Sequence, residues 1–182
     1  MSRYDDLRPL VDAWRAQSQT LYRNMQRLPD VLAARLGAYL GGPEAVADAG
    51  GVPQPVVAPC AACWDAARPD GRFSLIPYVE APEWTPYVDG RFYFGLRVLL
   101  EGAASADHAP FFVLLSAACD GDSFLVRSDF GGAPFRIRLD EAAASDPLMA
   151  HIYAAMRDEL AKPQTEQAER QAIGFRLERI PV

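Results

Sequence analysis

Residues 91–100 read RFYFGLRVLL and residues 111–127 read FFVLLSAACDGDSFLVR, and these two stretches decide the fold. In the first, Phe92, Phe94, Leu96, Val98 and Leu100 alternate with Arg91, Tyr93, Gly95, Arg97 and Leu99. That period of two predicts a strand with one strongly apolar side. The second stretch opens with Phe111 to Cys119, apolar on both sides, as a central strand covered on two faces requires. Asp120-Gly121 then predicts a two-residue type I′ hairpin. With those two residues as the loop, Cys119 opposes Asp122, Ala117 opposes Phe124 and Leu114 opposes Arg127. Phe135, Ile137 and Leu139 alternate with Arg136 and Arg138 after the Gly131-Gly132 turn, which predicts a further strand. Phe73 to Val79 predicts an earlier one that Pro77 confines to an edge. Ile173, Phe175 and Leu177 predict a closing strand.

Outward from the strands the period changes to that of a helix. Leu7, Val11, Trp14, Ser18, Leu21, Met25 and Leu28 are spaced by alternating steps of four and three. Asp5 and Asp6 suit its first turn, and Pro9 is tolerated near a helix start. Pro29 is expected to break this helix, with Asp30 capping a second that turns Val31, Leu32, Leu36, Tyr39 and Leu40 inward and stops at Gly41-Gly42. Pro43 to Ala49 predicts one or two helical turns, and Val52 to Pro59, with three prolines, an extended run. Asp146-Pro147 starts a last helix, with Leu148, Ile152, Met156 and Leu160 inward. Grouped strands between helices indicate α+β: an antiparallel meander of about five to six strands, covered by N-terminal helices and one C-terminal helix. The whole chain, 1–182, reads as a single domain: a helical arm over 1–42, a Pro/Gly-rich connection over 43–71, and a sheet body over 72–182.

Composition agrees with a compact body. The 182 residues are 50% apolar, 23% charged and 10% aromatic, which supports one core and excludes a disordered chain. A formal net charge of −6 argues against a nucleic-acid binder and against a peripheral membrane protein. The charge is uneven. Residues 1–42 hold six Arg and four Asp, +2, so residues 43–182 carry the remaining −8. Three cysteines cannot pair without one left over, Met1-Ser2-Arg3-Tyr4 opens polar, and no stretch reaches the roughly 20 apolar residues of a membrane span. The expectation is a reducing, cytoplasmic setting.

Familiar catalytic fingerprints are missing: no glycine-rich phosphate loop, no G-x-S-x-G, no H-E-x-x-H and no calcium loop. Cys60-Ala61-Ala62-Cys63 has the spacing of a metal or dithiol pair, but the isolated motif reads as two small semi-buried thiols. His108 falls in the expected loop 102–109 and Cys119 at the far end of the following strand. They lie too far apart to act together. His151 reads as a helix-flank residue with no acidic neighbour one turn away. No catalytic residue, metal ligand or cofactor is therefore predicted.

The informative feature is arginine parity. Arg97, Arg127, Arg136 and Arg138 occupy non-core positions of three successive strands, and Tyr93 shares the face with Arg97. Planar, bidentate guanidinium groups suit carboxylates and phosphates, and Leu99, Phe112, Leu114 and Leu125 would give apolar walls. The expected function is a cytoplasmic, non-enzymatic binding or adaptor protein holding an anionic small molecule or acidic protein segment on that face. The structural alternative pairs the same arginines with acids across the strands. A second possibility is a small enzyme with a pocket between sheet and N-terminal helices, using Arg as anion clamp and an acid as base. A third is assembly as a homodimer through a helix seam at Leu7, Val11, Trp14 and Leu21.

Overall fold

The computed structural model describes residues 3–47, 51–64, 73–77, 87–102 and 105–162. Helix α1 runs Arg3–Leu40; strands follow as β1 Ala45–Ala47, β2 Pro53–Pro55, β3 Val57–Trp64, β4 Phe73–Pro77, β5 Tyr87–Val88, β6 Arg91–Gly102, β7 Ser105–Asp120, β8 Ser123–Ser128 and β9 Phe135–Ile137. A 3-10 turn, Ala142–Ser145, leads into helix α2, Asp146–Leu160. Strands β1 and β2 form a small ribbon in which Gln54 supplies the one N–H of β2. The remaining strands make one antiparallel sheet ordered β4-β3-β6-β7-β8-β9, with β5 paired to β6. The α+β class and the meander through β6, β7, β8 and β9 are as the alternation predicts.

Parity seats the core. Phe92, Phe94, Leu96 and Val98 of β6, Val113, Leu115 and Ala117 of β7, and Phe124 and Val126 of β8 are buried on one face. Leu28, Leu32 and Leu36 of α1, and Leu148, Met149, Ile152 and Met156 of α2, close over that face. Tyr39 and Leu160, both expected inward, are exposed, and Met149 joins the core instead. Arg35 of α1 fastens the helix to the sheet end by donating to the carbonyls of Arg138 (3.1 Å) and Leu139 (2.8 Å).

Four local expectations are corrected. The break at Pro29 does not occur, because α1 is continuous through both Pro9 and Pro29. An internal proline costs about 3 kcal/mol, whereas burying Leu28, Leu32 and Leu36 on both sides of Pro29 returns roughly 5–9 kcal/mol. Packing wins. Residues 45–47 pair as a strand with β2 rather than coiling into helical turns. The strand holding His108 starts at Ser105, so the backbone of His108 pairs with Glu101 instead of lying in a loop. Lastly, Asp120 pairs with Ser123, so the hairpin loop is Gly121-Asp122. Gly121 has a φ of 64° and Asp122 keeps a negative φ, which fits a type II′ turn with glycine first rather than type I′. The register slips by two, which changes each residue's partner and leaves its face unaltered. The predicted strand over 173–177 lies outside the described residues.

The edge strand β4 is held by a reach across its neighbour. Cys60 and Ala62 of β3 are small enough for Leu75 to pass over them, and a Cβ added at Gly95 of β6 would sit 2.6 Å from a Leu75 methyl. Phe73 likewise stacks on Tyr93, ring centroids 4.3 Å apart.

Candidate functional site

The face of the sheet opposite the helices carries Tyr93, Arg97 and Arg127, as their parity predicts. Registers through β6, β7 and β8 put Tyr93, Ser116 and Arg127 in one row across three strands. Arg91, two positions before Tyr93, joins the row. Its Nε donates to Ser116 Oγ (3.3 Å) and a terminal nitrogen donates to the Leu125 carbonyl (3.2 Å). Arg91 shares the parity of Tyr93 and Arg97, and that was the signal that could have included it. Half-buried Phe112, Leu114 and Leu125 surround the row with apolar surface.

Arg127 is exposed, opposite Ser116, and has no carboxylate partner among the described residues. Arg97 lies opposite Phe112, with a buried Nε that finds no hydrogen-bond partner. Its charge and amide pull down the thiol of neighbouring Cys60, yet burial dominates and pushes that thiol up to about 11. Four residues along the strands and two strands across separate Arg97 from Arg127, roughly 16 Å between Cα atoms. Two side chains of that reach do not close on one small ion. They can straddle a longer molecule bearing two anionic groups.

Arg136 and Arg138 do not belong to this cluster. Arg136 pairs with Asp120 at 2.5 Å and donates to Ser123 Oγ at 3.1 Å. Arg138 pairs with Asp122 (3.4 Å) and Asp140 (3.2 Å). The hydrogen bond to Asp140 and the nearby acids raise Arg138, while that same bond holds the Asp140 carboxyl below its usual range. The physical reason is the turn: with Asp120 paired to Ser123, acids cluster at the hairpin end and β9 lies beside them. The predicted group of four cations therefore divides into two that are neutralised at one sheet end and two that are not.

Two further constellations come from packing alone. Ser128 Oγ lies 2.9 Å from His151 Nε2, joining the end of β8 to α2 in a box lined by Phe135 and Phe130. Next to it, Asp129 has both carboxylate oxygens buried without a hydrogen-bond partner, and burial pushes its carboxyl up to about 7. The amides of Asp129 and Leu114 oppose that shift without overcoming it. A serine–histidine pair needs a third group to orient the imidazole before it resembles a catalytic triad. No such group bonds His151 among the described residues, so the contact fastens a helix to a strand.

The cysteines carry no shared chemistry. Cys60 and Cys63 are three apart on β3, which puts their side chains on opposite faces. All three thiols are free, and burial alone raises Cys119. His108 and Cys119 are eleven residues apart on β7, roughly 36 Å. Among the described residues no group of three His, Cys, Asp or Glu side chains could hold a metal ion, and no helix is long and apolar enough to cross a membrane. Neither a protein-family model, nor a curated protein, nor a solved structure matches the chain.

Proposed function

We propose that the chain is a cytoplasmic, non-catalytic binding or adaptor protein whose open sheet face holds an elongated anionic ligand. The ligand is a small molecule with two carboxylate or phosphate groups, or a short acidic peptide segment. Arg127 takes one anionic group, Arg97 takes the other, and Tyr93, Phe112 and Leu114 line the path between them. The observation that carries this reading is that Arg127 stands exposed without an acid while Arg136 and Arg138 are both neutralised. Isothermal titration with pyrophosphate, citrate and a hexaglutamate peptide tests it. Binding of at least one probe is expected, with Arg127→Ala weakening it tenfold or more while stability moves by about 0.5 kcal/mol or less. Equal affinity in the variant, or no affinity for any probe, defeats the proposal.

A small enzyme is the second reading, and Asp129 favours it. A carboxyl pushed up to about 7 is poised to take and return protons near neutrality, which an unperturbed aspartate is not. It follows directly on the end of β8, two residues after Arg127.

A further inference from the structure

Ser116 is the one hydroxyl in the apolar run from Phe111 to Cys119, and it stands on the open face of the sheet opposite Tyr93. Its oxygen accepts from Arg91 Nε at 3.3 Å, so its own proton is left to donate, and among the described residues no acceptor takes it. Arg91 is half engaged in the same way. One terminal nitrogen donates to the Leu125 carbonyl at 3.2 Å, while the other bonds nothing among the described residues. Arg127, directly across from Ser116, uses none of its five side-chain donors there. We propose that Arg91, Ser116 and Arg127 form a seat for a phosphate monoester. The inference rests on the reading that the open face holds an anionic ligand, and it names the group held at the Arg127 end.

The ladder brings the three together. Arg91 stands on β6 two residues before Tyr93, and its head crosses β7 to the carbonyl of Leu125 on β8. There it ends two residues from Arg127. Ala118, opposite Leu125, carries only a methyl and leaves room for the crossing. By the registers, the Cα atoms of Arg91 and Arg127 are roughly 12 Å apart, against roughly 16 Å for Arg97 and Arg127. Because the Arg91 head has already passed the strand between them, Arg127 can close on the same ion. Two hydrogen bonds also fix that head in advance, so little of its freedom remains to be lost when a ligand arrives.

The donors select phosphate over carboxylate. A carboxylate offers two oxygens in one plane, which a single guanidinium fork satisfies. A phosphate monoester offers three oxygens and nearly two negative charges at neutral pH. Two guanidinium groups with a hydroxyl between them supply donors for all three oxygens. Asp120, two rows along the same face, would repel such an ion, but Arg136 already holds it. Tyr93, stacked on Phe73, walls the seat on the β3 side, and half-buried Leu125 gives the ester's organic part an apolar surface. Arg97, alone at the far end, suits a carboxylate.

Isothermal titration of the full chain with phenyl phosphate, benzoate and inorganic phosphate at about pH 7.5, where the ester is a dianion, tests the seat. Phenyl phosphate and benzoate share a ring and differ in the acid group. Phenyl phosphate is expected to bind at least tenfold more tightly than benzoate, and more tightly than inorganic phosphate. Arg91→Lys, which keeps the charge and loses the fork, should weaken it at least tenfold. Ser116→Ala, which installs the side chain of its neighbours Ala117 and Ala118, should weaken it severalfold. Arg97→Gln should change it less than twofold, because the ring does not span that distance. No affinity for phenyl phosphate, benzoate bound as tightly, or indifference to both Arg91→Lys and Ser116→Ala overturns the seat, even where citrate or hexaglutamate binds through Arg127. Inorganic phosphate bound as tightly as the ester overturns the assignment to a monoester. Phenyl phosphate held through Arg91 while no longer anion responds to Arg97 upholds the seat and defeats the two-anion reading instead.

Discussion

Leu7 and Leu32 are the same residue type on the same stripe of one helix, yet Leu7 is 55% exposed and Leu32 is sealed. The C-terminal half of α1 lies on the sheet beside α2, whereas the N-terminal half runs past the edge of the body. A helical period establishes that an apolar face exists and leaves open what will cover it. Coverage is decided by the rest of the chain: Leu28, Leu32 and Leu36 join Phe94, Leu96 and Ile152 in one core, and residues 4–17 are left to water or to another molecule.

The contrast breaks or stands on a pair of matched substitutions. Leu32→Ala should cost about 2–5 kcal/mol in denaturant unfolding, since it opens a cavity under the sheet. Leu7→Ala, measured on the dilute chain, should stay within about 0.5 kcal/mol. Comparable losses at both sites would abolish the distinction between the halves.

Acids extend the contrast between covered and open positions. Asp129 is buried and raised to about 7, while exposed Asp140 is lowered by Arg138. Because the native state of Asp129 favours the neutral form, its contribution is complete below about pH 4 and disappears as pH climbs through 7. The span amounts to on the order of 4 kcal/mol. Asp129→Asn should flatten the fall in stability between pH 4 and 7 relative to the unaltered chain. An identical pH profile in the variant would show that the carboxyl is not desolvated.

Smaller effects sharpen the boundary. Gly95→Ala collides with Leu75 and should cost about 1–3 kcal/mol, since a side chain on β4 must yield. Pro9→Ala should raise far-UV helicity while moving the melting point of the dilute chain hardly at all, because the arm melts separately from the body.

Face, rather than partner, was legible in the strands. A slip of two in the β7–β8 hairpin preserves parity, so Tyr93, Arg97 and Arg127 kept their side although Arg127 opposes Ser116 and not Leu114. The same slip hid the fate of Arg136 and Arg138, whose acids Asp120 and Asp122 take their places from the true turn. Pro29 misled for a different reason: local propensity is a per-residue cost, and three buried leucines outweigh it. Ser128 and His151 are 23 residues apart, and only the seating of α2 over β8 brings them together. No spacing rule encodes that contact, nor the burial of Asp129 beside it.

The two ends of the main sheet have a consequence for how copies of this chain can meet. Strand β9 offers only three residues, one of them an arginine already engaged with Asp120, and β4 ends in a proline while Leu75 and Phe73 tether it to β6. Short or proline-bearing borders are poor templates for another chain's backbone. Fibril-like growth by strand addition is thereby discouraged, and crowding the protein should drive contacts through side chains rather than through extended hydrogen-bonded ladders.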